Sequence, residues 1–422
     1  MNKTPRTGLP LWLAACGALL AAAGIPRDQA PSPQGAAPGP AVSFKDGARS
    51  VSIQVSLFDN IIYLPAKVNG AAELDFVLDT GASNISAIDQ GVAEKMALPR
   101  GRGTTGGGAG PERVQMRELE SVSLSLPGLE MAGFRFLTIP LKRMEPYWGR
   151  NKDGLFGGNI LARLVTSIDY DRRTVTFHDP GSFDPAGSGE MIPLTIDGNA
   201  PFVTAKVKVP GSGAPAEGFF LLDTGVRMSF FNTPFTAKNA LIQKSPRTVE
   251  NIAGFGIGGA SRATMGRLAA LEIGDFVIEG PVVQLNTTTQ GVEASAQFDG
   301  IIGADILCRF VVTLDYQNKR MWLLKGARFG QPFEYDMSGL YVISAGEGND
   351  AFKVENVVAG SPAAKAGVEK GDILVSIDGR PASSFTLETL KLYLKEAGRT
   401  VGLRVDRGGT SKSFSFRLER LI

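Results

Sequence analysis

The chain has 422 residues, 43% of them hydrophobic and 20% charged. That is enough for two to four domains with full-sized cores, and it excludes global disorder and a multi-span membrane protein. Fifty-two glycines and 25 prolines point to a turn-rich, mainly β chain, and 44 basic against 42 acidic residues leave a charge of +2, too balanced for a nucleic-acid partner.

Two scarcities narrow the chemistry. With one histidine, His178, and two cysteines, Cys16 and Cys308, His-pair zinc motifs, cysteine-cluster metal sites and disulfide scaffolds are out. No feature calls for a metal or an organic cofactor. His178 closes a strand-like run, Thr174 to His178, ahead of Asp179-Pro180-Gly181, and is expected on a surface turn. An acid–base catalyst in this chain is therefore expected to be a carboxylate.

At the amino terminus, Lys3 and Arg6 precede an apolar stretch from Leu9 to Ile25. This has the build of an export signal over residues 1–25, followed by a Pro/Gly/Ala-rich tether over 26–43. Ala21-Ala22-Ala23 offers a cleavage site, whereas Leu13-Ala14-Ala15-Cys16 resembles a bacterial lipoprotein signal, which implies a lipid anchor through Cys16. A third reading is an uncleaved anchor. All three place the body outside the cytoplasm: in the periplasm, on a membrane or secreted.

The body repeats itself. Leu74-Asp75-Phe76-Val77-Leu78-Asp79-Thr80-Gly81 returns as Gly218-Phe219-Phe220-Leu221-Leu222-Asp223-Thr224-Gly225, 144 residues later. Leu155-Phe156-Gly157 returns as Ile301-Ile302-Gly303, and Arg163-Leu164-Val165-Thr166-Ser167-Ile168-Asp169-Tyr170 as Arg309-Phe310-Val311-Val312-Thr313-Leu314-Asp315-Tyr316, at an offset of 146. Three motifs in one order at nearly one offset define two homologous lobes, about 44–189 and 190–333. Within each, short apolar runs such as Phe76-Val77-Leu78 read as buried strands. Asp89 to Met96 is one of the few helices expected.

Each lobe ends a buried strand in a carboxylate and a glycine turn. Two carboxylates brought together cannot both ionise, so one stays protonated. The ionised one can take a proton from water while the other donates to a carbonyl. These motifs, Asp79-Thr80-Gly81-Ala82-Ser83 and Asp223-Thr224-Gly225 with Leu155-Phe156-Gly157 and Ile301-Ile302-Gly303, resemble the pepsin/retropepsin family of aspartic proteases. The resemblance covers about 290 residues. It implies a mainly β fold of two retropepsin-like lobes around a cleft, with Asp79 and Asp223 as catalytic dyad. Thr80 and Thr224 would bond across the lobe interface, and Gly81, Gly225, Gly157 and Gly303 would support the site. Gly-rich flaps fall at Gly101–Gly110 and Gly254–Gly259, the first without the tyrosine of pepsin-like flaps. Where pepsin-like enzymes carry Ser or Thr after Asp-Thr-Gly, this chain has Ala82 and Val226, whose side chains have no hydroxyl to donate to the dyad. That predicts a weakly acidic optimum unless Ser83 reaches Asp79.

After Phe333 the composition shifts. Ser361-Pro362-Ala363-Ala364 starts a short helix ended by Gly367, Asp378-Gly379 is a hairpin signal, and Thr386 to Ala397 is an amphipathic helix. Residues 334–422 resemble a PDZ domain of the bacterial, protease-associated kind, an α+β unit. The resemblance implies a loop, Gly339-Leu340-Tyr341-Val342, that takes the C-terminal carboxylate of a peptide, although Tyr341 stands where a second glycine is common. The expected function is aspartic endopeptidase acting on a protein or peptide substrate. The alternative is an extracytoplasmic scaffold with inert lobes that binds peptides through the PDZ domain.

Overall fold

The structure is a computed structural model, and it describes residues 39–422 except Ala109, Ser212, Glu347 and the side chain of Ala253. The export, lipidation and anchor expectations, Cys16 included, lie outside the described residues. Among those described, no helix is long and apolar enough to cross a membrane.

Two curled sheets repeat one plan. In the first, strand Glu73–Leu78 runs parallel to Gly154–Phe156, which is antiparallel to Ser86–Asp89, itself parallel to Phe136–Ile139. In the second, Ala216–Leu222, Gly300–Ile302, Phe230–Phe231 and Val282–Leu285 take the same places with the same directions. The apolar runs read from the sequence are the central strands: Phe76, Val77, Leu78, Phe220, Leu221 and Leu222 are all buried, as strands covered on both faces must be.

A third sheet of six strands joins the lobes. Val165–Asp169 pairs antiparallel with Phe310–Asp315, placing Ser167 opposite Thr313 with their hydroxyls 2.9 Å apart. These residues are equivalent in the repeat, so the local twofold passes between them. Strand Ser50–Gln54 closes one edge and Glu190–Pro193 the other. His178 ends strand Thr174–His178 as read, but it is half-buried rather than on an open turn. Its ring packs edge-on to Phe183 at 5.0 Å, and burial lowers its pKa.

The local signals hold with small boundary shifts. Asp89 caps helix Gln90–Lys95, its Oδ1 accepting from Gly91 and Val92 N–H. In the C-terminal unit, Ser361 caps Pro362–Ala366, and Gly367 ends that helix at φ 91°. Helix Leu387–Tyr393 is shorter than expected and carries a capping box on Thr386. This unit has a six-stranded sheet and a core of its own, centred on Phe352, Val354, Leu390 and Val401. Strand Leu340–Ala345 forms one edge of the sheet.

Candidate active site

The two Asp-Thr-Gly turns meet at the lobe interface. Thr80 Oγ1 donates to the Leu222 carbonyl at 2.7 Å and accepts from Thr224 N–H at 3.1 Å. Thr224 Oγ1 donates to the Leu78 carbonyl at 2.6 Å and accepts from Thr80 N–H at 3.2 Å. Four reciprocal bonds thus tie one loop to the other. The supporting glycines lie where a side chain could not: a Cβ on Gly225 would sit 2.7 Å from Asp79 Cγ, and one on Gly81 would enter the Asp223 carboxylate. Gly157 and Gly303 pack so closely on the segments after the turns that a Cβ would overlap the backbone of Ile85 or Val226.

Asp79 and Asp223 are fully buried. Asp79 Oδ1 accepts from Ala82 N–H at 3.0 Å, and Asp223 Oδ1 accepts from Gly225 N–H at 2.8 Å. Neither Oδ2 receives a donor from the protein. Burial raises both carboxyls. For Asp79 the charge of Asp223 adds to burial and lifts it well above the carboxylate range. Asp223 is raised by burial to about 7, held back by the hydrogen bond from the Gly225 amide. The two carboxyls interact closely enough to titrate as one unit. Ser83 is buried and its hydroxyl makes no hydrogen bond, so it does not replace the donors missing at Ala82 and Val226.

Three features escaped the sequence reading. Ser86 Oγ and Ser229 Oγ accept from Gly157 and Gly303 N–H at 3.0 and 2.9 Å, fixing the apolar-apolar-Gly strands from behind. Lys152 is only 3% exposed, with its ammonium 3.3 Å from the centre of the Trp148 ring. Its charge lowers both Asp79 and Asp223. No local pattern marks Lys152 as buried, whereas Ser86 and Ser229 could have been found as a further match in the repeat.

The flap segments form hairpins, Arg100–Gly106 with Val114–Leu119 and Thr248–Gly256 with Gly259–Arg267. Their tips meet: Glu112 N–H donates to the Gly258 carbonyl at 2.9 Å. Tyr147 stacks on Phe255 of the second flap at 4.1 Å, so an aromatic reaches the flaps from elsewhere in the chain.

Residues 64–160 match the aspartyl protease family and residues 328–418 the PDZ domain family. The chain has an aspartic protease-like fold with a C-terminal PDZ domain. Among solved structures it is similar to an aspartic proteinase from Irpex lacteus (12% identity, 67% of this chain and 99% of that one, TM-score 0.43). It is also similar to Basic 7S globulin from soybean (14%, 67% and 97%, TM-score 0.40). No curated protein matches by sequence. In the PDZ domain, Leu340, Tyr341 and Val342, expected in a loop, begin the edge strand Leu340–Ala345 and line a cavity shared with the protease-like lobes, which Gly339 does not line. Its Leu340 N–H donates to Ser338 Oγ at 3.0 Å, while Gly339 and Ser338 N–H donate to Asp336. Among the described residues, no cluster of His, Cys, Asp and Glu could hold a metal.

Proposed function

We propose that this protein is an exported aspartic endopeptidase that hydrolyses peptide bonds with the Asp79–Asp223 pair and engages peptide through its PDZ domain. The observation that carries the reading is the pair itself: two fully buried carboxylates on twofold-related loops that the Thr80 and Thr224 hydrogen bonds tie together, both raised by burial. In the singly ionised state Asp223 accepts a proton from water as the oxygen attacks the scissile carbonyl, and Asp79 gives its proton to the carbonyl oxygen. The resulting gem-diol collapses as one hydroxyl proton returns to a carboxylate and the amine nitrogen takes the proton from Asp223. The C–N bond breaks and both carboxyls regain their starting state. Thr80 and Thr224 hold the geometry throughout, and the closed flaps exclude water. Export is supported by Lys3 and Arg6 ahead of the Leu9 to Ile25 apolar stretch, with a lipid anchor at Cys16 as one form of it.

The test is cleavage of an unfolded protein by the purified chain, with and without pepstatin, and by Asp79→Asn. Pepstatin-sensitive cleavage that Asp79→Asn abolishes supports the reading. Cleavage unaffected by either refutes it, and no cleavage under any condition between pH 3 and 8 leaves the scaffold function in its place.

A further inference from the structure

Strand Leu340–Ala345 and helix Leu387–Tyr393 flank the groove in which a PDZ domain accepts an extended peptide as an added strand. Here the catalytic lobes lie across it. The first-lobe helix Glu145–Trp148 packs on the Leu340–Ala345 strand. Asn349, in the loop after that strand, donates from Nδ2 to Glu145 Oε1 at 2.7 Å. Gly149 ends the helix at φ 72° and abuts the first residue of the groove helix, since a Cβ there would lie 2.6 Å from Leu387 Cβ. Beside it, Asp59 donates its N–H to Glu388 at 2.6 Å and pairs with Lys391 at 3.0 Å. What stays open is the other end, a cavity of about 210 Å³ lined by Leu340, Val342, Leu390 and Leu394 and by Arg227 and Ile252 of the second lobe. That is below the roughly 300–1,000 Å³ of a ligand pocket, and residues 145–149 pack against the strand on one side and against Leu387 on the other.

The same turn is joined to the second flap. Tyr147 stacks on Phe255 with planes 14° apart, and Phe255 lies three residues before Gly258, where the two flaps touch. The flap's root is tied to the PDZ domain as well, through Asn251 to Tyr335 Oη at 3.1 Å and Asn356 to Asn251 at 3.0 Å. Residues that close the groove therefore also hold the flap down.

We propose that residues 145–149 are an intramolecular latch: they occupy the PDZ groove, and an extended peptide that adds to strand Leu340–Ala345 displaces them and releases the second flap through Tyr147. The consequence for activity rests on the proteolytic reading, whereas the competition for the groove does not. At the open end, Leu340, Val342, Leu390 and Leu394 offer contact to an apolar C-terminal side chain, with Lys391 and Lys395 beside them to face its carboxylate. Turn and peptide compete for one edge, so the latch lowers apparent affinity by the fraction of molecules with the groove open.

The test uses the full-length Asp79→Asn protein, in which substrate is not consumed. It is compared with the same protein carrying Glu145→Ala and Tyr147→Ala, and with one carrying Asn349→Asp, which sets a carboxylate against Glu145 from the PDZ side. The probe is a fluorescein-labelled pool of decapeptides ending in Val, Leu or Phe, read by anisotropy, alongside hydrogen–deuterium exchange. Both latch variants are expected to speed exchange in residues 250–259 and 340–345, and to bind the pool about tenfold tighter. The pool added to the Asp79→Asn protein is expected to speed exchange at 145–149 and 250–259. Unchanged flap exchange in both variants, equal affinities, or no binding of the pool by any form overturns the latch. A wild-type chain that cleaves nothing sinks the proteolytic reading alone, because exchange and anisotropy still decide the latch.

Discussion

Replacing Thr80 by valine keeps the shape of the side chain and removes one hydroxyl. That hydroxyl serves two bonds, donating to the Leu222 carbonyl at 2.7 Å and accepting from Thr224 N–H at 3.1 Å. Both partners are buried at the lobe interface, and each group that loses its partner there costs about 1–3 kcal/mol. Thr80→Val is therefore expected to destabilise by about 2–6 kcal/mol, a large part of the roughly 5–15 kcal/mol that holds a protein folded. Thr224→Val removes the equivalent pair and is expected to cost the same within about 0.5 kcal/mol. The loops also set the spacing of Asp79 and Asp223. We expect kcat to fall about 10- to 100-fold, with KM little changed, as when an interaction made only in the transition state is lost. Thr80→Ser keeps the hydroxyl and should recover most of both losses. Chemical denaturation and peptide hydrolysis on the three variants check this. A Thr80→Val cost below about 1 kcal/mol, or a Thr80→Ser variant no better than Thr80→Val, refutes the clasp as the device that sets the dyad.

Other outcomes follow from the same geometry. Because burial raises both carboxyls, the singly ionised pair persists to higher pH, and kcat/KM should peak in the weakly acidic to neutral range. Ala82→Ser with Val226→Thr adds hydroxyl donors that favour the ionised form and should move both limbs of the profile to lower pH. Lys152→Met removes a cation that lowers both carboxyls; both limbs should shift to higher pH, and an unmoved profile would show that Lys152 is only a packing residue. Gly81→Ala has no positive-φ penalty to bear, but its Cβ enters the Asp223 carboxylate. Activity should be lost while melting changes by only the few degrees that about 1–3 kcal/mol of overpacking implies.

The parts of this molecule that were legible in the sequence are those where a local requirement repeats. Asp-Thr-Gly appears twice because a twofold site needs one copy from each lobe, and the offset alone locates Thr80 against Thr224. Ser361, Gly367 and Thr386 could be read as caps because a helix end imposes its own residue choice within a few positions. Lys152 offers no such signal. Its burial follows from Trp148 beneath it and the dyad ahead of it, and a solvated lysine would leave the same trace in Asn151-Lys152-Asp153. The ordinary run Glu145-Pro146-Tyr147-Trp148-Gly149 likewise gives no hint that it spans from the PDZ groove to a flap.

The missing flap tyrosine shows why such contacts resist a local reading. The first flap, Gly101 to Gly110, is nearly all glycine and small polar residues, so it can bend but cannot pack. Packing is supplied instead by Tyr147, whose ring meets Phe255 across more than a hundred residues of sequence. The helix carrying Tyr147 is fixed in turn by Asn349 and Leu387 of the PDZ domain. Asp59 joins the arrangement through Arg227 at 2.8 Å and Lys391 at 3.0 Å. One carboxylate on the hairpin after Phe58 thereby faces a cation from the loop that follows Asp223 and a cation from the groove helix. A change in the groove at Lys391 is felt at Asp59 and so at Arg227, four residues beyond Asp223. The PDZ domain is thus tied to the second flap by an aromatic route at Tyr147 and to the loop after Asp223 by an ion-pair route at Asp59, and each route can be cut without touching the dyad.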